Sequence, residues 1–234
     1  MAKSAPMFPG ESRKYRRARK NLLRAELELQ KLVEKVAAKR RKLPLGGELK
    51  EDYVFEEGAA DLADTTTVRQ VRLSELFLPE HDTLLLYSFM FGPDIKQPCP
   101  MCTSFLDGIN GQARHVTQRV SLAVAAKSPI SRIREFARTR GWTQLRLVST
   151  ASTTYNLDYK GETAEGAQLP MMNVFAKRKG RIVHSWGSET LFAKSRKGQD
   201  SRHIDIMWPL WNMLDLTPAG RGADWYPALS YSEG

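Results

Sequence analysis

The chain has 234 residues, of which 41% are hydrophobic, and a formal net charge of +10. Its two cysteines exclude a disulfide scaffold, and no apolar run approaches the ~20 residues that a membrane-spanning helix needs. With no apolar signal segment visible in residues 1–17, we expect a soluble cytoplasmic protein whose thiols stay reduced or cycle.

The positive charge is concentrated near the start of the chain. Residues 11–50 hold 14 Lys or Arg and 5 Asp or Glu, whereas residues 51–234 hold 21 of each. The globular part therefore shows no charge bias towards a polyanionic substrate. Because Tyr15 is the single aromatic residue among the basic ones, we expect neither a nucleic-acid nor a membrane partner, and we assign the charges to a solvated helix face.

Residues 11–41 predict one long helix. Apolar residues recur at alternating spacings of three and four from Tyr15 to Val36, which is a heptad stripe. Such a stripe must be covered by its own domain or by a partner helix, so a homodimer through this helix is one expectation. Leu43–Gly47 ends the helix. We thus predict a basic amphipathic helix in residues 1–45 and a globular domain in residues 46–234.

The globular domain alternates predicted strands and helices. After two short strands at 52–55 and 68–72, the order is a buried strand, a helix, a strand, a helix and a strand. A long loop follows at 149–166, then a hairpin of two strands, a short helix and an aromatic tail. The predicted segments of this part are 83–91, 99–115, 120–126, 128–141, 145–148, 169–176, 181–186 and 210–214. This order predicts an α/β fold with a mixed sheet.

Cys99-Pro100-Met101-Cys102 follows the first buried strand. Pro100 suits the first helical position, which places Cys99 at the N-cap and Cys102 one turn further in. The unpaired N–H groups and partial positive charge of the helix start should stabilise a Cys99 thiolate and lower its pKa. A strand, this motif and a helix are typical of a thioredoxin-like redox element.

The sequence gives less support to a metal site or a haem attachment site at the cysteine pair. Cys99, Cys102 and His115 have the spacing of three zinc-finger ligands, but no fourth ligand follows at the required spacing. A c-type haem needs His after the second cysteine, where Thr103 stands. We therefore favour dithiol chemistry and expect no metal. Nucleotide-binding glycine motifs do not occur, so no cofactor is implied.

Five stretches of the chain carry a wider resemblance. They are 40–46, 86–93, 99–102, 107–111 and 215–221. Together they resemble an uncharacterised bacterial thioredoxin-like family in the clan of the alkyl hydroperoxide reductases and thiol-specific antioxidants. The resemblance implies a thioredoxin-like mixed sheet flanked by helices, with a long N-terminal helix as an extension.

The resemblance also implies a substrate-binding set of Pro170, Leu169 and Pro100. In thioredoxin-like proteins, the proline that faces the dithiol has a cis peptide bond, and Pro170 matches that position. A cis bond would turn the backbone so that Leu169 can pair with an incoming extended peptide.

We therefore expect a thiol–disulfide oxidoreductase in which Cys99 attacks and Cys102 resolves the mixed disulfide. Its substrate is a thiol or disulfide, on a protein or on a small molecule. One alternative is a peroxidase of the peroxiredoxin type, but Gly92 and Lys96 stand where that motif needs Pro and Thr. The other is a non-catalytic module that binds a partner or dimerises.

The sequence does not decide between alternative roles for four further polar residues. His115, His184 and His203 could approach the dithiol or one another, although structural hydrogen bonding is the commoner role of such residues. Asp107 is either a proton acceptor near Cys102 or a cap for the glycine-containing turn that follows it.

Overall fold

A computed structural model describes residues 7–194, 202–222 and 224–232. The chain divides into two compact units, residues 1–44 and residues 45–234.

The first unit is built on a single long helix, α1, which spans Arg13–Arg41. It begins where the Ser12 hydroxyl accepts a hydrogen bond from the backbone N–H of Tyr15 at 3.1 Å, an N-cap. The helix that the sequence predicted is confirmed. None of its described residues is buried, and Leu22 and Leu29 of the heptad stripe are 51% and 61% exposed.

The second unit is built on a mixed sheet whose described strands run in the order β2-β1-β5-β4-β3-β6-β7. The strands are β1 (Val54–Gly58), β2 (Val68–Arg72), β3 (Thr83–Phe89), β4 (Ser121–Ala126), β5 (Leu147–Ser149), β6 (Met172–Arg178) and β7 (Arg181–Gly187). β3 lies inside the sheet, parallel to β4 and antiparallel to β6. The segment that follows β3 therefore leaves the sheet near its centre.

Four α-helices accompany this sheet within the described residues: α2 (Pro100–Val116), α3 (Ile130–Arg140), α4 (Tyr155–Asp158) and α5 (Pro209–Leu214). Short 3-10 turns lie at Leu73–Leu76, Glu189–Phe192 and Asp205–Met207. None of the helices described in either unit combines the length and apolarity needed to cross a membrane.

The side chains of β3 alternate between two cores. Tyr87 and Phe89 face a core that includes residues of α2, α3 and α5, whereas Leu84 and Leu86 face a core shared with β1, α4 and β6. The order β3-α2-β4-α3-β5, then the β6–β7 hairpin and α5, confirms the thioredoxin-like α/β fold that the sequence predicted.

The prediction of a cis bond at Pro170 is wrong. The Leu169–Pro170 peptide bond is trans, and β6 begins only at Met172. The backbone N–H of Met171 donates to the carbonyl of Leu169 at 3.1 Å, which closes a tight three-residue turn around Pro170. The trans form of an X–Pro bond is intrinsically favoured by about 0.5–1 kcal/mol.

The hairpin prediction is confirmed. Lys179 and Gly180 join β6 to β7, and both have positive φ, 50° and 76°. In a two-residue hairpin, the turn whose twist best matches that of the flanking strands requires positive φ at both central residues. α4, by contrast, lies in the segment for which the sequence predicted only a loop.

Candidate active site at the start of helix α2

Cys99 is the N-cap residue of α2, with Pro100 at the first helical position. Its backbone N–H donates to the carbonyl of Met90 at 3.1 Å, which fixes the helix start against the end of β3. Its Sγ accepts a hydrogen bond from the backbone N–H of Cys102, with 3.5 Å between the two atoms. This N–H is one of those that a helix start leaves unpaired, so the sulfur takes the place of a capping oxygen.

The two cysteines differ sharply in environment. Cys99 is half-buried, whereas Cys102 is 2% exposed and packs in the core; neither cysteine forms a disulfide. Burial raises the pKa of Cys102 well above its usual value, and the neighbouring Cys99 adds to the rise. The Tyr87 hydroxyl and the backbone of Met90 act in the opposite sense, because both are placed to donate to Cys102 when it ionises. Cys102 is therefore neutral and inaccessible to solvent, whereas Cys99 is partly exposed.

A cavity of about 200 Å³ opens beside the cysteines. Its walls come from β3, the first turn of α2, the turn before β6 and the segment 202–208. The lining residues are Tyr87, Cys99, Met101, Cys102, Pro170, Leu191, Arg202, His203, Ile204, Asp205 and Trp208. Of the three residues predicted to bind substrate, Pro170 belongs to this lining, whereas Leu169 and Pro100 lie outside it.

Two hydrogen-bond donors in the cavity lining have no partner within the described part of the chain. The hydroxyl of Tyr87 and the indole N–H of Trp208 are buried, and neither makes a hydrogen bond with any residue that the structure describes. Burial, followed by the Cys102 thiol, raises the pKa of Tyr87 well above its usual value, so the hydroxyl keeps its proton. Sequence reasoning missed Tyr87 because it stands within an apolar run that predicts a plain core strand.

Only one of the candidate histidines reaches this site. His203 lines the cavity, and its Nε2 donates to the carbonyl oxygen of Pro170 at 2.7 Å. His184 lies on β7, where its Nε2 is 2.9 Å from Oδ1 of Asn173. His115 is in the last turn of α2, about 24 Å along the helix from Cys99 at 1.5 Å per residue.

Asp107 ties α2 to α3 and takes no part in the dithiol site. Its Oδ1 accepts a hydrogen bond from the indole N–H of Trp142 at 2.8 Å, and its carboxylate forms an ion pair with Arg140. Among the described residues, no three His, Cys, Asp or Glu side chains are grouped closely enough to hold a metal ion.

Comparison with solved structures returned peroxiredoxins and thioredoxins at low identity. Thioredoxin peroxidase I of Plasmodium yoelii has a TM-score of 0.47 and 16% identity, over 79% of this chain and 100% of that chain. The reduced 2-Cys peroxiredoxin of Plasmodium vivax has a TM-score of 0.47 and 14% identity, over 72% and 97%. The exposed lipoprotein thioredoxin Etrx1 of Streptococcus pneumoniae has 0.40 and 12%, over 68% and 99%.

No curated protein matches the chain. A family match, however, covers residues 6–232, almost the whole sequence. This agrees with the resemblance to an uncharacterised bacterial family that the five sequence stretches carry. The chain belongs to DUF899, a family described as bacterial protein of unknown function.

Proposed function

We propose that the protein is a thiol–disulfide oxidoreductase that uses the Cys99–Cys102 dithiol. One observation carries the proposal: the Cys99 sulfur caps α2 and accepts the backbone N–H of Cys102, while the second thiol lies buried one turn further in. Helix N-termini favour thiolates, and a thiolate is the form that attacks a disulfide.

In the first step, the Cys99 thiolate attacks one sulfur of a substrate disulfide. A new S–S bond joins Cys99 to that sulfur, the substrate S–S bond breaks, and the departing thiolate takes a proton from water. Cys99 fits this role because it is half-buried at the cavity, whereas Cys102 is shielded by the core.

In the second step, Cys102 loses its proton to solvent and attacks the Cys99 sulfur. The mixed disulfide breaks, the second substrate thiolate leaves and is protonated, and a Cys99–Cys102 disulfide remains. Two electrons have passed from the protein dithiol to the substrate. Return to the dithiol requires an external thiol reductant, which undergoes the same two exchanges in reverse.

The backbone of Met90 supports the second step. Because burial keeps Cys102 protonated, a nearby backbone donor that stabilises its thiolate lowers the cost of ionisation.

Mass spectrometry after reaction with hydroxyethyl disulfide tests the proposal. The reduced protein should lose two hydrogens as the internal disulfide forms. Cys102→Ser should stop at a mixed disulfide on Cys99, and Cys99→Ser should react far more slowly than either. If Cys99→Ser forms an adduct on Cys102 as fast as Cys102→Ser forms one on Cys99, the assignment of the attacking thiol is wrong.

A further inference from the structure

We propose that the substrate is a small, mainly apolar organic disulfide that carries a carbonyl oxygen and enters the cavity beside Cys99, rather than a disulfide of a folded protein. This inference rests on the proposed function of the dithiol and adds the class of substrate. Three features of the site support it: the wall over the cysteines, the hydrogen bonding of the turn at Pro170 and the unpartnered donors.

The segment 202–208 forms a wall of the cavity and is anchored to the domain. Ile204 and Trp208 are 3% and 5% exposed and belong to the core, and the Trp208 ring packs edge-on against Phe105 with 6.0 Å between centroids. His203 donates to the carbonyl of Pro170 at 2.7 Å, across the cavity lining. A cavity of about 200 Å³ with this wall is small even among ligand sites, which typically measure about 300–1,000 Å³.

The turn at Pro170 leaves little for an extended peptide to pair with. The backbone N–H of Leu169 donates to Gly161 at 2.9 Å, and its carbonyl accepts from Met171 at 3.1 Å. The carbonyl of Pro170 accepts from His203. Recognition of a peptide strand depends on backbone groups that are open to it, and these three are already used.

The unpartnered donors define what the small molecule carries. The Tyr87 hydroxyl and the Trp208 indole N–H are both buried without a partner among the described residues, and both side chains line the cavity. An unmade hydrogen bond at a buried donor is unfavourable, and a ligand oxygen relieves it. The fixed charges in the lining, Arg202 and Asp205, pair with each other. The site therefore suits an uncharged ligand with an oxygen acceptor and an apolar body.

A dithiolane amide has this chemistry. Its ring S–S bond breaks when the Cys99 thiolate attacks one sulfur, and the other ring sulfur leaves as a thiolate that takes a proton. Attack of Cys102 on Cys99 then releases the first sulfur, which is protonated in turn. The product is the open-chain dithiol, and Cys99 and Cys102 are left joined in a disulfide.

Single-turnover oxidation of the reduced full-length protein tests the inference. Lipoamide is the small probe, insulin the protein disulfide and glutathione disulfide the charged small disulfide. Each rate constant is divided by that of free dithiothreitol with the same disulfide, which removes differences in intrinsic reactivity. We expect the normalised rate with lipoamide to exceed those with insulin and glutathione disulfide by about tenfold or more, the factor for about 1.4 kcal/mol.

Two tyrosine variants test the role of the unpartnered hydroxyl. In a Cys102→Ser background, which isolates the first attack, Tyr87→Phe should slow N,N′-diacetylcystamine, an acyclic disulfide with amide carbonyls, about fivefold and leave diethyl disulfide, which has no acceptor, unchanged. Tyr155→Phe is the matched control, because its hydroxyl is also buried and unpartnered among the described residues but belongs to the other core. It should slow neither disulfide.

The outcomes separate the two proposals. A normalised rate with insulin that equals or exceeds the rate with lipoamide overturns the small-substrate inference and leaves the oxidoreductase function intact. Equal slowing of N,N′-diacetylcystamine and diethyl disulfide by Tyr87→Phe also overturns it. Failure of every disulfide to oxidise the dithiol overturns the proposed function, and the inference with it.

Discussion

The backbone N–H of Cys102 lies 3.5 Å from Sγ of Cys99, so the second cysteine supports the first through its main chain while its own thiol is buried. The helix start therefore acts on one sulfur only. This asymmetry separates an attacking thiol from a resolving thiol within a single helical turn, and the predictions below depend on it.

The resolving step should depend steeply on pH. Since burial raises the pKa of Cys102, its thiolate is scarce at neutral pH. With a mixed disulfide preformed on Cys99, the rate of internal disulfide formation should rise about tenfold per pH unit between about pH 7 and 8.5, the range below an ordinary thiol pKa. Stopped-flow release of a coloured thiol measures this rate. A rate that does not change with pH would contradict the buried, protonated state of Cys102.

Asp107 should contribute to stability and not to thiol chemistry. Asp107→Ala removes the acceptor of the buried Trp142 indole N–H and the partner of Arg140. We expect the free energy of unfolding to fall by about 1–3 kcal/mol, as measured by urea denaturation, with the alkylation rate of Cys99 unchanged. A large loss of Cys99 reactivity in a fully folded variant would restore the role of proton acceptor.

His184 should make stability depend on pH. Burial lowers its pKa, and the opposing effect of Glu189 is smaller, so the folded state favours the neutral ring. Its contribution is therefore present above the unfolded pKa of about 6.5 and is lost as pH falls below that value. Between pH 7 and pH 5, the melting temperature of the native protein should drop more than that of His184→Gln. Equal drops in the two proteins would contradict this account.

Helix α1 should mediate self-association. Its stripe residues Leu22 and Leu29 are 51% and 61% exposed, which leaves an apolar seam for a second copy. Sedimentation at micromolar concentration should show a dimer for the native chain and a shift to monomer for Leu22→Glu with Leu29→Glu. Gln30→Glu, on the same helix but off the stripe, is the control. A native chain that sediments as a monomer would exclude this interface.

The sequence predicted those elements whose ends or turns are set by neighbouring residues in the chain. The heptad stripe predicted α1, Gly141 with φ of 68° ends α3 as expected, and Lys179-Gly180 predicted the hairpin turn. The position of Cys99 at the start of α2 followed from the proline beside it. In each case, one or two residues have a steric or capping preference that acts without the rest of the fold.

Features that depend on distant contacts were missed. The sequence does not indicate α4 because its stability comes from Tyr155, which packs edge-on against Tyr53 and Phe55 about one hundred positions earlier. The turn at Pro170 is held by residues distant in sequence, because the backbone N–H of Ser88 donates to the carbonyl of Met171 at 2.8 Å. Likewise, the cavity beside the cysteines depends on the segment 202–208, which is about one hundred positions later in the chain and supplies one of its walls.

The pH dependence of Cys99 alkylation, measured in Cys102→Ser so that one thiol reacts, tests the central claim most directly. We predict that the reaction rate with iodoacetamide reaches half its maximum at least about one unit below pH 8.5, the pKa of a free thiol. The same titration in the unfolded protein should return to about 8.5. A midpoint at or above that value in the folded protein would contradict the claim that the start of α2 holds Cys99 as a thiolate.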